Sequence, residues 1–435
     1  MDSKLKTISL FSGCGGMDLG FSLEGFEIIY ALDHDFTSIE SHRKNFQGIA
    51  VNKDIVEIDF STVPDCDVII GGFPCQDFSV IWKRPGINGQ RGDLYRHFVR
   101  AVLEKQPKIF VAENVKGLLS ANKGNAILKI KRDFESLGYK LNTQVYNFVE
   151  YGVPQMRERL IIVGIRNDLK ESFIPPKPTH GPNRKFRFST VGDSLKNVEK
   201  VKLNNNKMKI QEKTRKRLEL IPPGGNFNSI PKSSPYYVKG LISHVYRRLH
   251  KDKPSYTIIA SGGGGTWTYH HAEPRPLTNR ERARLQTFPD SFEFIGNNSE
   301  IRRQIGNAVP PEGIRPIAKN IKKILLKNPG NLKNKTRKNY DFGWIRDEEK
   351  INKTRKKLMK FEINLGLKTE IFRGIETYSP NEVKEILNDL TRKKLRKLII
   401  EHHKFYTQYY GTDVVINPRM NMCEYNIHEL YNLLK

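Results

Sequence analysis

KTISLFSGCGGMDLGF, residues Lys6 to Phe21, reads as a short apolar strand that breaks at a glycine turn and continues as a helix from about Met17. At such a strand-to-helix junction, backbone N–H groups and a helix N-terminus can face a charged ligand. The glycines do not make the dinucleotide fingerprint: counting from Gly13 the spacing supplies Gly15, but position 18 is Asp. A plain tight turn fits this stretch equally well when it is taken alone. Working outward, FEIIYALD precedes a helix through Phe46, and CDVIIGG, KIFVAENV and RLIIVGI supply further strands. Strands alternating with helical stretches from Leu5 to Ile165 predict an α/β domain with ligands gathered at the carboxyl ends of its strands.

The chain has 435 residues, 37% of them hydrophobic, which predicts two or three globular units. No apolar run approaches the roughly 18 residues that span a bilayer, and the N-terminal stretch lacks a signal-peptide layout. A cytoplasmic protein with no membrane association is the expectation. The four cysteines, Cys14, Cys66, Cys75 and Cys423, show no knuckle or dithiol spacing, so a functional thiol would act alone. The formal net charge of +27 favours a polyanionic partner, nucleic acid first. A lysine bias spread over solvated faces is the plainer alternative.

Three acidic or apolar residues follow successive strands. Asp33 stands where a nucleoside-binding α/β domain places a carboxylate on ribose hydroxyls, and Asp54 with Ile55 offers a polar contact and an apolar ledge for a ring. In VIIGGFPCQDFSV, Val68 to Val80, a buried strand stops at Gly71-Gly72 and Pro74 restricts the backbone just before Cys75. That loop could present Cys75 as a nucleophile at the same rim, or the cysteine could be an inert buried one. VAENV brings Glu113 to another strand end, where desolvation would raise its pKa and let it donate near neutral pH. In QMRERL, Arg157 and Arg159 alternate onto one face of a strand start, suited to holding an anion or a polarised base.

In order and approximate spacing, LFSGCGG, GGFPCQDFS, ENV, QMRERL, RPLTNRERARLQTFPD and QIGNAVPP resemble the bacterial cytosine-5 DNA methyltransferases of type II restriction-modification systems. The resemblance spans residues 5 to about 327. It implies a Rossmann-like domain dependent on S-adenosyl-L-methionine, acting on a cytosine flipped out of double-stranded DNA. Cys75 would attack carbon 6, Glu113 would hold the ring at N3 and its amine, and Arg157 and Arg159 would support base and carboxylate. For the cofactor, the resemblance implies Phe11, Gly13, Gly15 and Gly16 at the turn, Asp33 at the ribose and Asp54 with Ile55 at the adenine. Pro74, Leu94, Asn307 and Val309 would complete the pocket. Many relatives carry Glu where Asp33 stands, which shortens the ribose contact.

The loop after Cys75 would be a lid, with Ser79, Lys83, Arg84 and Arg91 gripping DNA phosphates. The expected organisation is a catalytic domain of residues 1–165 completed by 275–330, a smaller mixed, loop-rich target-recognition domain of 166–274, and a basic, partly helical extension of 331–435. Thr278 with Glu281 has the form of a capping box, and a last helix is expected from about Pro311 to Leu326. No metal is expected, because adjacent His270 and His271 on a strand would point apart and lack spaced partners. A monomer, paired in function with a restriction endonuclease, is the implied context. A transfer-RNA cytosine methyltransferase and a catalytically silent DNA-binding relative are the alternatives. A nicotinamide oxidoreductase is disfavoured by the failed glycine fingerprint.

Overall fold

The computed structural model describes residues 4–74, 94–239, 245–260 and 268–329. All of them fall in one compact unit, Met1–Asn334. Seven strands form a single sheet: β1 (Leu5–Leu10), β2 (Phe26–Asp33), β3 (Ile49–Asn52), β4 (Val68–Gly71), β5 (Ile109–Val115), β6 (Tyr139–Asn147) and β7 (Glu158–Arg166). Their order is β3-β2-β1-β4-β5-β7-β6, parallel except for β7, which runs antiparallel to both neighbours. The α/β expectation is met, and the sheet is Rossmann-like.

The order reverses between β1 and β4, so the chain leaves β1 toward one edge and leaves β4 toward the other. The crevice outside those two carboxyl ends is where such sheets bind ligands. Ser12 starts the turn after β1, and Gly72 starts the loop after β4, so both glycine-containing motifs emerge at this crevice.

Strands buried on both faces need no polar alternation, and β4 and most of β5 and β7 are buried almost without interruption. On one face Ile109, Val111, Ile161 and Val163 pack with helices α1 (Gly16–Ser22) and α9 (Pro311–Lys327). On the other, Phe110 meets Phe98 of α3 (Leu94–Lys105) and Phe134 of α4 (Asn125–Ser136), with ring centroids 6.1 and 4.3 Å away. Helix α2 (Phe36–Asn45) is capped by Asp35 and packs beside β2 and β3.

Helix α9 begins with Pro311, where a missing N–H costs nothing. Its buried Ile314, Ile317, Ala318, Ile321 and Ile324 recur at helical spacing and close the sheet from the far end of the sequence. It crosses α1 so closely that a Cβ on Gly20 would lie 2.6 Å from the Pro311 carbonyl oxygen.

Residues 166–274 hold three short helices, α5 (Val191–Leu195) and α6 (Glu212–Glu219) among them, and otherwise loops around a small cluster of Leu218, Ile221, Phe227, Ile230, Tyr246 and Tyr269. With so few ladders, carbonyls need other donors. The buried Arg248 supplies them to Leu218, Ile221, His270, His271 and Ala272.

Two elements were not anticipated from sequence. Strand β6 is masked by its polar run LNTQ, and helix α8 (Asn298–Asn307) by its charged turns. The capping box of α7 (Asn279–Leu285) is present as expected, with Thr278 and Glu281 reciprocally bonded. One expectation is overturned: the His270 and His271 rings do not point apart but lie 4.3 Å from each other. They sit in a loop with isolated bridges, where strand alternation does not apply, and His270 Nδ1 accepts from the N–H groups of Ala272 and Glu273. The extension, residues 331–435, lies outside the described residues.

Candidate active site

The turn after β1 is held in an unusual backbone conformation. Phe11, Gly13 and Gly15 have φ of 53°, 54° and 94°, and a non-glycine residue in this region carries strain of order 1 kcal/mol or more. The three glycines have different tasks. A Cβ on Gly13 would meet nothing within 4 Å, so this face is open to a ligand. On Gly15 it would strike the Phe46 ring at 2.4 Å, and on Gly16 the Val309 carbonyl oxygen at 2.4 Å. Gly15 and Gly16 therefore permit close packing beneath the turn, while Gly13 presents the surface.

Beneath the turn lies a closed polar network. Asp18, fully buried, accepts from Ser9 Oγ at 2.7 Å and pairs with His42 Nε2 at 2.8 Å. The His42 ring stacks on Phe46 with centroids 4.3 Å apart, which ties α2 to the floor of the glycine turn.

Asp33, at the end of β2, reaches across to the same turn. Its carboxylate accepts from the N–H of Gly13 and of Asp35, each at 2.8 Å. Burial raises its pKa above the ordinary carboxylate range, against those two N–H groups, which favour the charged form. A carboxylate has about four lone-pair directions, so two remain for a hydroxyl-bearing ligand.

The other nominated cofactor residues divide. Asp54 is exposed and accepts from Val56 N–H, capping a 3₁₀ turn, while Ile55 is buried and its carbonyl accepts from Arg100. Pro74 and Leu94 are half-buried at the two edges of residues 75–93. Asn307 is exposed at the end of α8, and Val309 is buried with its carbonyl against Gly16.

At the end of β5, Glu113 sits on the same face as Arg159, its diagonal neighbour on β7, because Val115 pairs with Arg159 and Glu113 with Ile161. Arg159 Nε and Glu113 Oε1 are 2.8 Å apart. Burial raises the Glu113 pKa, and the Arg159 and Arg157 charges pull it back only in part. Gly72 lets the carboxylate come close, since a Cβ there would fall 2.9 Å from Glu113 Oε2. Asn114 donates to the Phe73 carbonyl at 3.0 Å, so β5 also anchors the loop that leads toward Cys75. Neither Gly72 nor Asn114 had been assigned a task from sequence; adjacency to Glu113 and the GGFP punctuation were the available signals.

The two arginines do not act together as their spacing suggested. Arg157 is buried and turns away to the carbonyls of Ile258 and Gly306, at 3.1 and 3.0 Å, while Arg159 alone reaches Glu113. Burial lowers the Arg157 pKa to about 9. Its place between strand, recognition segment and α8 makes it a brace. Cys14 and Cys66 are both desolvated, which pushes their thiols up and keeps them inert. Cys75, Ser79, Lys83, Arg84 and Arg91 lie outside the described residues. Among the described residues there is no group of three or more metal-ligating side chains, and no helix is long and apolar enough to cross a membrane.

The crevice thus carries an open glycine turn, a ribose-height carboxylate and a buried Glu–Arg pair on adjoining strand ends. Comparison with known proteins agrees with this arrangement. Type II methyltransferase M.NgoFVII of Neisseria gonorrhoeae is 57% identical over 331 residues, covering 75% of this chain and 88% of its own length. Type II methyltransferase M.BbvI of Brevibacillus brevis is 42% identical, covering 74% and 92%. In structure the chain is similar to a prophage-encoded candidate DNA modification methyltransferase of E. coli, with TM-score 0.60 and 25% identity over 74% of this chain and 100% of that one. The profile of the C-5 cytosine-specific DNA methylases matches residues 5–323, and the chain belongs to that family.

Proposed function

We propose that this cytosine-5 DNA methyltransferase uses S-adenosylmethionine to methylate a cytosine rotated out of a specific duplex sequence, in a restriction-modification context like that in which its relatives are named. The observation that carries the reading is Glu113, buried and held by Arg159 at 2.8 Å on the strand beside the Gly72–Pro74 loop.

The described residues fit the cofactor. The open Gly13 face, the two free acceptor directions of Asp33 and the exposed Asn307 surround the crevice at the carboxyl ends of β1 and β2. Phe11 would stand at its entrance, with Pro74, Leu94 and Val309 as apolar wall. Asp54 and Ile55 would contribute shape at the adenine end. When bound, S-adenosylmethionine supplies an electrophilic methyl group.

Carbon 5 of cytosine is too weakly nucleophilic to take that group directly. Cys75, as thiolate, would add to carbon 6 and push electron density toward carbon 5 and N3. Glu113, its pKa raised by burial, would hydrogen-bond N3 and the exocyclic amine and stabilise that charge. Arg159 would keep the Glu113 carboxyl in register, and Arg157 would brace the strand through Ile258 and Gly306. After transfer, loss of the carbon-5 proton would expel the thiolate. Ser79, Lys83, Arg84 and Arg91 would hold phosphates around the flipped nucleotide, with residues 166–274 reading base edges.

Bisulfite sequencing of a plasmid propagated with the protein reports the target sequence. A duplex carrying 5-fluorocytosine there cannot release the carbon-5 substituent. With S-adenosylmethionine it is expected to form an SDS-resistant adduct that Cys75→Ser abolishes. No adduct with the wild-type protein, or label from the cofactor entering transfer RNA alone, overturns the reading.

A further inference from the structure

Beside the Glu113–Arg159 pair lies an open cleft of about 410 Å³ lined by Val115, Lys116, Gly117, Asn147, Met156, Glu158, Arg159 and Thr257. Its character is mixed. Val115 and Met156 are 42% and 48% exposed, unusual for large apolar side chains at the end of a buried sheet, and they form apolar walls. Between them the polar surface is cationic but internally neutralised. Lys116 follows Val115, and because Val115 pairs with Arg159, Lys116 comes opposite Glu158. Its Nζ contacts both Glu158 oxygens, at 3.0 and 3.1 Å.

We propose that this cleft is a nucleotide subsite in which Lys116 binds a DNA backbone phosphate next to the target cytosine, and in which Glu158 occupies the place of that phosphate until DNA arrives. The inference rests on the reading of Glu113 as the base-holding carboxyl and extends it to the adjoining backbone.

Three features carry it. The Lys116–Glu158 pair is about half exposed on both sides, at 56% and 47%, so it is weak and exchangeable. A phosphodiester offers the ammonium the same two-oxygen contact as the carboxylate, with a full negative charge. The apolar walls fit a deoxyribose, which a bare anion site would not need. The distance from Arg159 is fixed by strand register, so a phosphate seated at Lys116 would also set the register of the flipped base toward Glu113. Glu158 prevents the free enzyme from presenting an uncompensated cation pair beside its catalytic carboxyl.

The test uses the full chain and a duplex bearing the sequence found by bisulfite mapping, with affinity measured as a function of KCl. Lys116→Gln is expected to weaken binding about tenfold and to make the slope of log K against log salt shallower by about one. Glu158→Gln is expected to tighten binding severalfold, and that gain should vanish in the Lys116→Gln background. Neutralising one phosphate flanking the cytosine as a methylphosphonate should weaken the wild-type protein and leave Lys116→Gln unaffected.

Wild-type affinity and slope in Lys116→Gln overturn the proposal, as does weakening without a change of slope. A Glu158→Gln gain that persists without Lys116 also overturns it, because that result reflects general repulsion. Methyl transfer by the wild-type protein is scored separately, so failure of this subsite and failure of the underlying reading are distinguishable.

Discussion

Asp33 carries opposed demands, and its chemistry makes them measurable. In the folded chain its pKa is raised by burial. Its contribution to stability is therefore full below the unfolded value and is lost as pH rises through the folded one. Ligand binding needs the opposite, because protonation removes acceptor capacity, so the KM for S-adenosylmethionine is expected to rise as pH falls through the raised value. Asp33→Asn replaces one acceptor oxygen by a donor facing the N–H of Gly13 or Asp35. Loss of one such bond is worth about 1–2 kcal/mol, so that KM should rise about tenfold and lose its acid limb in steady-state kinetics. Glu113→Gln keeps the shape and removes the titrating group. It should lower kcat by about 10²–10³ with the cofactor KM unchanged, as removal of one transition-state contact does. A smaller fall in kcat is expected for Gly72→Ala, whose methyl would displace Glu113 Oε2.

Among the elements, α7 shows how a short helix is held where little else is regular. Its capping box sits under Arg275, which grips Glu281 and Glu273 with both edges of its guanidinium. Arg280 and Arg284 add bonds to carbonyls of Leu203, Pro289, Phe292 and Lys196. Thr278→Ala removes the cap and should cost about 1 kcal/mol, a fall of about 2 °C in thermal midpoint. Arg275 holds Glu273 at about 2, and Glu281 also lies below its ordinary value. Both depressed carboxylates stabilise the fold fully above their unfolded pKa of about 4.5 and lose that stabilisation as pH falls below it. Glu281→Gln should flatten the acid limb of a stability-against-pH curve between about pH 4.5 and 2. An unchanged acid limb would mean that this cluster is not what fails in acid.

For the whole molecule, the sheet is completed by residues distant in sequence: α9 covers it next to α1, and Arg157 joins β7 to Ile258 and Gly306. Arg157→Met is expected to leave two buried carbonyls without a donor and to lower thermal stability clearly, with methyl transfer falling in proportion to folded protein. The family match ends at residue 323, and the compact unit ends at Asn334. A chain truncated after Asn334 should fold and transfer methyl groups. Its affinity for DNA should respond less steeply to salt if residues 335–435 contribute phosphate contacts. An insoluble or inactive truncation would show that the extension belongs to the catalytic fold.

The α/β class, the turn after β1, the Thr278 capping box and the long α9 were all legible in the residues, because apolar periodicity and punctuation by glycine and proline act locally. The same locality explains what was missed: β6 and α8 are polar, and only their neighbours make them regular. Spacing put Arg157 and Arg159 on one face, yet it could not tell a brace from the partner of a carboxylate. That difference is set by what lies opposite each guanidinium, Ile258 and Gly306 for one and Glu113 for the other, more than 40 residues away in every case. Likewise Gly13, Gly15 and Gly16 read as one motif, and only packing against Phe46 and Val309 separates the open glycine from the two closed ones. Residue type and order determined which chemistry the chain can carry; long-range packing, which places charges and voids, decided which copy of each residue carries it.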